Sequence, residues 1–205
     1  MRGTPVTDSA LNQSLHSTLS VLTKVGPADL DAPTPCASWD VRALVNHFVG
    51  SARWWAAVAG GADAAGDGEN AGGGGFADFA DFADFAAGGV VAAYEESIRL
   101  AVAAFAVEGA LDKTVLLPFG EFPGAVLRDL AATEQFVHGW DLARAIGYPA
   151  ALDPELASWL LGRARLTVTE AYRGPDGQAL FGPAVEAPAG AGPADQLAAF
   201  LGRRV

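Results

Sequence analysis

Long stretches in which apolar residues recur every three or four positions, separated by Pro- and Gly-rich breaks, most constrain the fold of this chain. Residues 8–25 carry one such stripe, formed by Leu11, Leu15, Leu19, Leu22 and Val25. This spacing places side chains on one face of an α-helix. Comparable stripes predict helices at about 40–59, 89–107 and 125–146, while an extended or hairpin segment is expected around residues 118–120. We therefore predict an all-α fold built on a four-helix bundle.

The last quarter of the chain is predicted to add helices to this bundle. Asp153 followed by a proline is a helix-start signal, because a carboxylate caps free backbone amides and proline suits the first helical turn. The helix that begins there is expected to end near Tyr172, and a short final helix is expected near 194–201. We divide the chain into a bundle domain, residues 1–150, and a C-terminal helical extension, residues 151–205, that packs on it.

Residues 61–88 form an insertion between two of the predicted helices. The insertion begins Gly-rich and continues as FADFADFADFA, in which phenylalanine occupies every third position. Two interpretations stay open for this segment. It is either a duplicated tripeptide in a tolerant loop, or an arm that covers a pocket mouth or a partner surface.

The composition excludes several classes of function. The chain has 51% hydrophobic residues, enough for a full core, and a formal net charge of −11. That acidity argues against binding to nucleic acid or to an anionic membrane surface, since both need basic patches. No apolar run reaches the roughly 18 residues of a membrane span, and the N-terminus lacks a secretory signal. We expect a cytoplasmic protein whose partner is a small molecule, with a homodimer as a candidate assembly.

Glu134 and His138 stand out in the fourth predicted helix because they lie among apolar neighbours. At about 100° per residue, positions four apart fall about 40° from each other on a helix, so both side chains belong to the inward stripe. An unpaired carboxylate in a core costs several kcal/mol or becomes protonated. A partner for Glu134 is therefore required.

His47, on the second predicted helix, also borders the inward face. Two imidazoles and one carboxylate from two helices suit a divalent ion, with zinc first and nickel, iron or cobalt as alternatives. Three protein ligands leave coordination positions open for water or substrate, which is typical of catalytic sites. The alternative is a buried, hydrogen-bonded Glu–His pair that binds no metal, and the sequence alone does not decide between the two.

Other residues are candidates for supporting roles. Asp141, three residues after His138, falls on the same side of the helix, and Ser51 and Trp54 follow His47 on the second helix, where Trp54 is a candidate pocket wall. The only cysteine, Cys36, is either a small buried residue or a nucleophile beside a histidine. The remaining tryptophans are expected in the core, and His16 is expected at the surface.

Two stretches resemble a known family. PTPCASWDVRALVNHFVG resembles the signature T-P-C-x-x-W-x-V-x-x-L-x-x-H, and TEQFVHGWDLARAIG resembles E-x-x-x-H-x-W-D-L-A-x-A-x-G. Together they resemble the DinB-like superfamily, in the branch that contains the metal-binding domain of mycothiol-dependent maleylpyruvate isomerase and a stand-alone actinobacterial group. The resemblance implies a DinB-like four-helix bundle with a divalent ion held by His47, Glu134 and His138.

The resemblance also implies an activity. Members of the family include isomerases and transferases that use mycothiol or bacillithiol, so the leading hypothesis is a metal-dependent transferase that uses a low-molecular-weight thiol. Asp141 would orient a ligand or take a proton, and Trp54, Ser51 and the insertion would shape the substrate pocket. The tail is too short for the isomerase's own C-terminal domain, so activity on maleylpyruvate is not expected. The alternatives are a metal enzyme with a different reaction and a non-catalytic metal or small-molecule binding protein.

Overall fold

The computed structural model describes residues 6–36, 39–61, 84–117, 120–150, 152–175 and 179–205. Within these ranges the chain forms six α-helices and one hairpin. The helices are α1 Val6–Leu22, α2 Val41–Ala59, α3 Val90–Phe105, α4 Gly124–Ala145, α5 Pro154–Thr167 and α6 Pro193–Phe200. The antiparallel hairpin pairs β1 Thr114–Leu117 with β2 Gly120–Pro123, with Val115 opposite Phe122.

The first four helices form the predicted bundle. Helix α1 packs on α3 and α4, and α2 packs on the same two helices, so the four enclose one core. Leu15 and Leu22, from the leucine stripe of α1, are fully buried in this core. Phe48 of α2 and Phe136 of α4 are buried there as well. The all-α class and the four-helix bundle are confirmed.

Side-chain caps mark the starts of two helices. The Asp40 carboxylate accepts a hydrogen bond from the Ala43 amide at the start of α2, and Asp153 caps α5 in the same way. Helix α5 ends at Thr167, however, five residues before the predicted end. The sequence Thr-Val-Thr at 167–169 explains this early end, because consecutive β-branched residues lose side-chain freedom in a helix.

The C-terminal extension lies against the bundle. Helix α5 packs on α1 and α4, and α6 packs on α5 and α4. The Trp140 indole of α4 donates a hydrogen bond to Asp195 of α6, with 2.8 Å between the nitrogen and the oxygen. The boundary between 1–150 and 151–205 remains a prediction.

Most of the predicted insertion, residues 62–83, lies outside the described residues, so both interpretations of it remain predictions. Its last residues are described and contact the polar side of α2. The Asn46 side-chain oxygen accepts a hydrogen bond from the Ala86 amide at 3.1 Å, and the Arg53 guanidinium lies 4.8 Å from the Phe85 ring centre. The end of the insertion is therefore joined to the helix that carries His47.

Among the helices in the described ranges, none has both the length and the apolar character needed to cross a bilayer.

Candidate metal centre

His47, Glu134 and His138 lie together where α2 and α4 face each other. The His47 Nε2 atom is 3.0 Å from Glu134 Oε1. One ligand atom from each of the three side chains lies within 4.8 Å of the other two. Both histidines are buried, and the Glu134 side chain is 13% exposed. The inward-facing side chains that helical phase predicts on α2 and α4 are thus brought together in one cluster.

The two oxygens of Glu134 have different partners. Oε1 faces His47, and Oε2 accepts a hydrogen bond from the Trp55 indole N–H. Burial alone would raise the pKa of Glu134, but the hydrogen bond from His47, the neighbouring imidazoles and the Trp55 N–H together lower the pKa. Glu134 is therefore a carboxylate, and its charge is available to a cation.

The His47 imidazole is bonded to Glu134 on one side and packs against two rings. Its Nδ1 atom is buried and has no hydrogen-bond partner among the described residues. The Trp39 ring lies on it, with ring centres 4.3 Å apart, and the His138 ring meets it edge-on at 5.0 Å. Burial lowers the pKa of His47, which favours the neutral imidazole that a metal ion requires.

The donor set fits a divalent ion. Two ligand atoms about 2.1 Å from a tetrahedral ion lie roughly 3.4 Å apart, close to the 3.0 Å between His47 Nε2 and Glu134 Oε1. Two imidazole nitrogens and one carboxylate oxygen match zinc, and also iron, cobalt and nickel.

The second nitrogen of His138 has an ordered partner. His138 Nδ1 lies 3.1 Å from Asp141 Oδ2, which leaves Nε2 as the ligating atom. Asp141 is fully buried, and the Arg203 guanidinium contacts both of its oxygens at 3.1 and 3.3 Å. Burial would raise the pKa of Asp141, but the Arg203 charge and the His138 hydrogen bond lower it to about 2. Such a weak base suits orientation of His138 better than proton uptake, and the role of Asp141 remains a prediction.

Cys36 belongs to the same cluster of contacts. Its Sγ atom donates to Asp141 Oδ2 at 3.2 Å and lies 3.2 Å from Arg203 Nη2. Burial, followed by the nearby Asp141 charge, raises the pKa of the Cys36 thiol. Cys36, His138 and Asp141 could also hold an ion by distance, but the guanidinium already contacts Cys36 and Asp141. The geometry favours a protonated structural thiol over a nucleophile.

The two expected substrate-binding residues lie in different environments. Ser51 is fully buried, and its hydroxyl is bonded to Phe48 O and to the Gln135 side chain. It has no surface for a substrate in this structure. The Trp54 ring is half-buried, and its centre lies 4.7 Å from that of the Trp55 ring. Trp55, which donates to Glu134, thus connects Trp54 to the cluster. Their predicted roles remain untested.

Three contacts were not predicted from the sequence. Helical phase favours Trp54 over Trp55, since Trp54 lies about 20° from His47 around the helix and Trp55 about 80°. Trp39 occupies a fixed place in the first motif, but the sequence predicts only a core position for it and not its contact with His47. Arg203 gave no signal, because it lies 62 residues beyond Asp141.

Comparison with known proteins agrees with this arrangement. Residues 11–143, about two thirds of the chain, match the family described as "Mycothiol maleylpyruvate isomerase N-terminal domain". The chain belongs to this family. Membership in this mycothiol-related, DinB-like, metal-binding family accounts for the bundle and for the cluster between α2 and α4. Arg203 and the whole C-terminal extension lie outside the matched residues.

Relatives of similar length are found in Mycobacterium tuberculosis. The chain is 36% identical over 186 residues to the protein named "Uncharacterized protein Rv0738" of strain H37Rv, which covers 91% of each chain. The same values hold for "Uncharacterized protein MT0763" of strain CDC 1551. No solved structure matches the chain.

Proposed function

We propose that this chain binds one divalent metal ion through His47, Glu134 and His138 and transfers a low-molecular-weight thiol, of the mycothiol type, to a small electrophile. The observation that carries the proposal is the convergence of three ligand atoms within 4.8 Å, with Asp141 bonded to the second nitrogen of His138. A carboxylate that fixes the second nitrogen of a ligating imidazole is typical of metal sites, and a set of three protein ligands leaves a position open, as in catalytic ones.

Each group at the proposed site has a separate role. Zinc is the favoured ion, with nickel, iron and cobalt as alternatives. A divalent ion in this site would supply positive charge that favours the thiolate form of a bound thiol at neutral pH. Asp141 orients His138, the Trp55 N–H orients Glu134, and Trp39 covers His47. Because Cys36 is held as a thiol, the nucleophile comes from outside the protein.

The proposed setting follows from charge and thiol chemistry. A net charge of −11 favours small-molecule substrates over nucleic acids. We place the protein in the cytoplasm, where free thiols such as Cys36 and a thiol cosubstrate stay reduced. A homodimer is a candidate assembly, to be tested by light scattering.

Metal analysis is the first test. Protein purified without chelator should contain about one divalent ion per chain, and His138→Ala and Glu134→Ala should each lose most of it because each removes a ligand. His16→Ala is the matched control, since His16 is exposed and its ring lies against the Asn12 carbonyl of its own helix. Full metal occupancy in both ligand variants would show that the site is wrong.

Thiol binding is the second test. Adding a thiol to the cobalt-substituted protein should change its visible spectrum, and adduct formation with a bimane or haloarene should exceed the uncatalysed rate. The activity should vanish in His47→Ala and persist in Cys36→Ala. Metal binding with an unchanged cobalt spectrum would instead favour a metal-binding protein or a metal enzyme with a different reaction. Loss of activity in Cys36→Ala with the metal retained would make Cys36 the nucleophile.

A further inference from the structure

Arg203 connects the C-terminal extension to the candidate metal centre. It follows α6, yet its guanidinium reaches across to α4 and to the loop before α2. Its Nε and Nη2 atoms contact the two oxygens of Asp141 at 3.3 and 3.1 Å, and Nη2 also lies 3.2 Å from Cys36 Sγ. The matched family segment, residues 11–143, does not contain this arginine.

The guanidinium is held in place by its own surroundings. Its Nη1 atom donates to Leu201 O at 3.0 Å, and the Arg203 amide donates to Ala198 O at 2.9 Å. A guanidinium has five N–H groups, and four bonds are accounted for by Asp141, Cys36 and Leu201. With a side chain only 13% exposed, Arg203 has little capacity left to bind a substrate anion. Arg203 therefore serves to hold the Asp141 carboxylate in place rather than to bind a ligand.

Asp141 depends on this arginine. Its side chain is 0% exposed, and Oδ2 accepts from His138 while both oxygens accept from Arg203. A buried carboxylate that loses its cationic partner is strongly destabilised. Without Arg203, Asp141 would leave the position in which it fixes the His138 ring.

We propose that Arg203 is a positioning residue of the metal centre. Through Asp141 it sets the ring orientation of His138 and keeps Nε2 available as the ligating atom, so that the C-terminal extension controls metal affinity. This inference rests on the proposed metal site. Removal of a group that is hydrogen-bonded to a metal ligand typically weakens metal affinity 10- to 100-fold. Arg203 is one contact further away and acts through Asp141, so we expect its removal to weaken affinity about 10-fold, the lower end of that range.

The main experiment measures zinc and cobalt affinity of the full chain by competition with a chelator. Arg203→Met should bind each ion roughly 10-fold more weakly. Its cobalt spectrum should also shift, because His138 is no longer held in one orientation. Arg203→Lys, which keeps the charge but not the two-pronged contact, should be intermediate and serves if the methionine variant does not fold. Arg204→Met, the exposed neighbour, should bind as the unmodified protein does.

A matched ion pair separates positioning from general stability. Arg163 of α5 contacts Asp129 of α4 at 2.7 Å, and Asp129 is only 4% exposed. Arg163→Met removes one cation of an ion pair between the extension and α4 outside the metal centre, where Arg128 also contacts Asp129 at 3.3 Å. It should lower stability and leave metal affinity unchanged. If Arg203→Met likewise lowers stability but keeps the full affinity for zinc and cobalt, the inference is overturned.

A double-mutant cycle tests the route through Asp141. In the Asp141→Asn background, Arg203→Met should cause little further loss of metal affinity, because its partner has already changed. An equal loss in both backgrounds would overturn the inference, since Arg203 would then act by another path. If the unmodified protein binds no metal, the proposed function fails and takes this inference with it. Normal binding by the unmodified protein and by Arg203→Met would remove the inference alone.

Discussion

His47 and His138 face the same carboxylate but are held by different contacts. His138 has a hydrogen-bonded aspartate behind it, whereas the buried Nδ1 of His47 has no hydrogen-bond partner among the described residues. The Trp39 ring lies 4.3 Å from the His47 ring and 5.7 Å from the His138 ring. At this position an aromatic contact takes the place of the usual hydrogen bond.

Replacing Trp39 should therefore weaken metal binding. An aromatic pair contributes about 0.5–1.5 kcal/mol beyond its buried area, so Trp39→Leu should lower zinc affinity roughly 2- to 10-fold. Trp39→Phe should keep most of the affinity. Chelator competition measures the change, and Trp159→Leu on α5 is the control. Equal affinity in Trp39→Leu and the unmodified protein would contradict the proposed contact.

At this scale, the sequence locates the ligands better than the groups behind them. His47, Glu134 and His138 could be predicted because helical phase is a local property that short spacings report. The Trp55 contact does not follow from phase, because Trp54 lies closer than Trp55 to the direction of His47 around the helix. Arg203 depends on how a distant tail crosses the bundle, and no periodicity in the sequence encodes that path.

Helices α1 and α4 approach each other closely at Gly139. A Cβ atom on Gly139 would lie 2.3 Å from Thr18 Oγ1 and 3.1 Å from Thr18 Cα. The same Thr18 hydroxyl donates a hydrogen bond to the Gln135 carbonyl at 2.6 Å. The missing side chain of glycine thus allows the contact and its hydrogen bond.

Gly139→Ala should destabilise the protein even though alanine is the better helix former. The propensity gain is about 1 kcal/mol, while steric overpacking costs typically 1–3 kcal/mol and here also displaces a buried hydroxyl. Gly162→Ala in α5 is the matched control, because its Cβ would meet nothing within 4 Å and should raise stability. Denaturant unfolding measures both. A more stable Gly139→Ala variant would refute the close approach.

Element boundaries followed the sequence where local signals were strong. The cap at Asp153 and the extended or hairpin segment around 118–120 follow from a few neighbouring residues. The end of α5 was misplaced because the apolar spacing continues past Thr167 while the β-branched residues stop the helix. At this position the apolar periodicity predicts a longer helix, whereas the low helix propensity of the β-branched residues ends it.

On the scale of the whole molecule, one buried hydrogen-bonded network joins the four bundle helices. The Gln135 side chain of α4 accepts from the Tyr94 hydroxyl of α3 at 2.6 Å and donates to the Ser51 hydroxyl of α2 at 2.9 Å. Thr18 of α1 bonds the Gln135 backbone. Burial, the largest cause, raises the pKa of Tyr94 well above its usual value, so its phenol stays protonated in the folded state.

This raised pKa predicts a loss of stability at alkaline pH. The contribution of Tyr94 is fully present below the unfolded pKa, about 10, and is lost as the pH rises from there toward the folded pKa. Tyr94→Phe should be less stable than the unmodified protein at pH 8, because Gln135 loses a buried donor. The difference should narrow above pH 10. Tyr148→Phe, at an exposed tyrosine, should keep the alkaline slope. A constant difference across this range would contradict the assignment.

The contact between Cys36 and Arg203 joins positions 167 residues apart, which has a consequence for biosynthesis. At 5–20 residues per second, a ribosome needs roughly 8–30 s to translate the interval between them. A nascent chain can thus contain both ligand-bearing helices while Asp141 still awaits its counter-ion. Because we propose that Arg203 raises metal affinity through Asp141, the full affinity should appear only after the tail has left the ribosome.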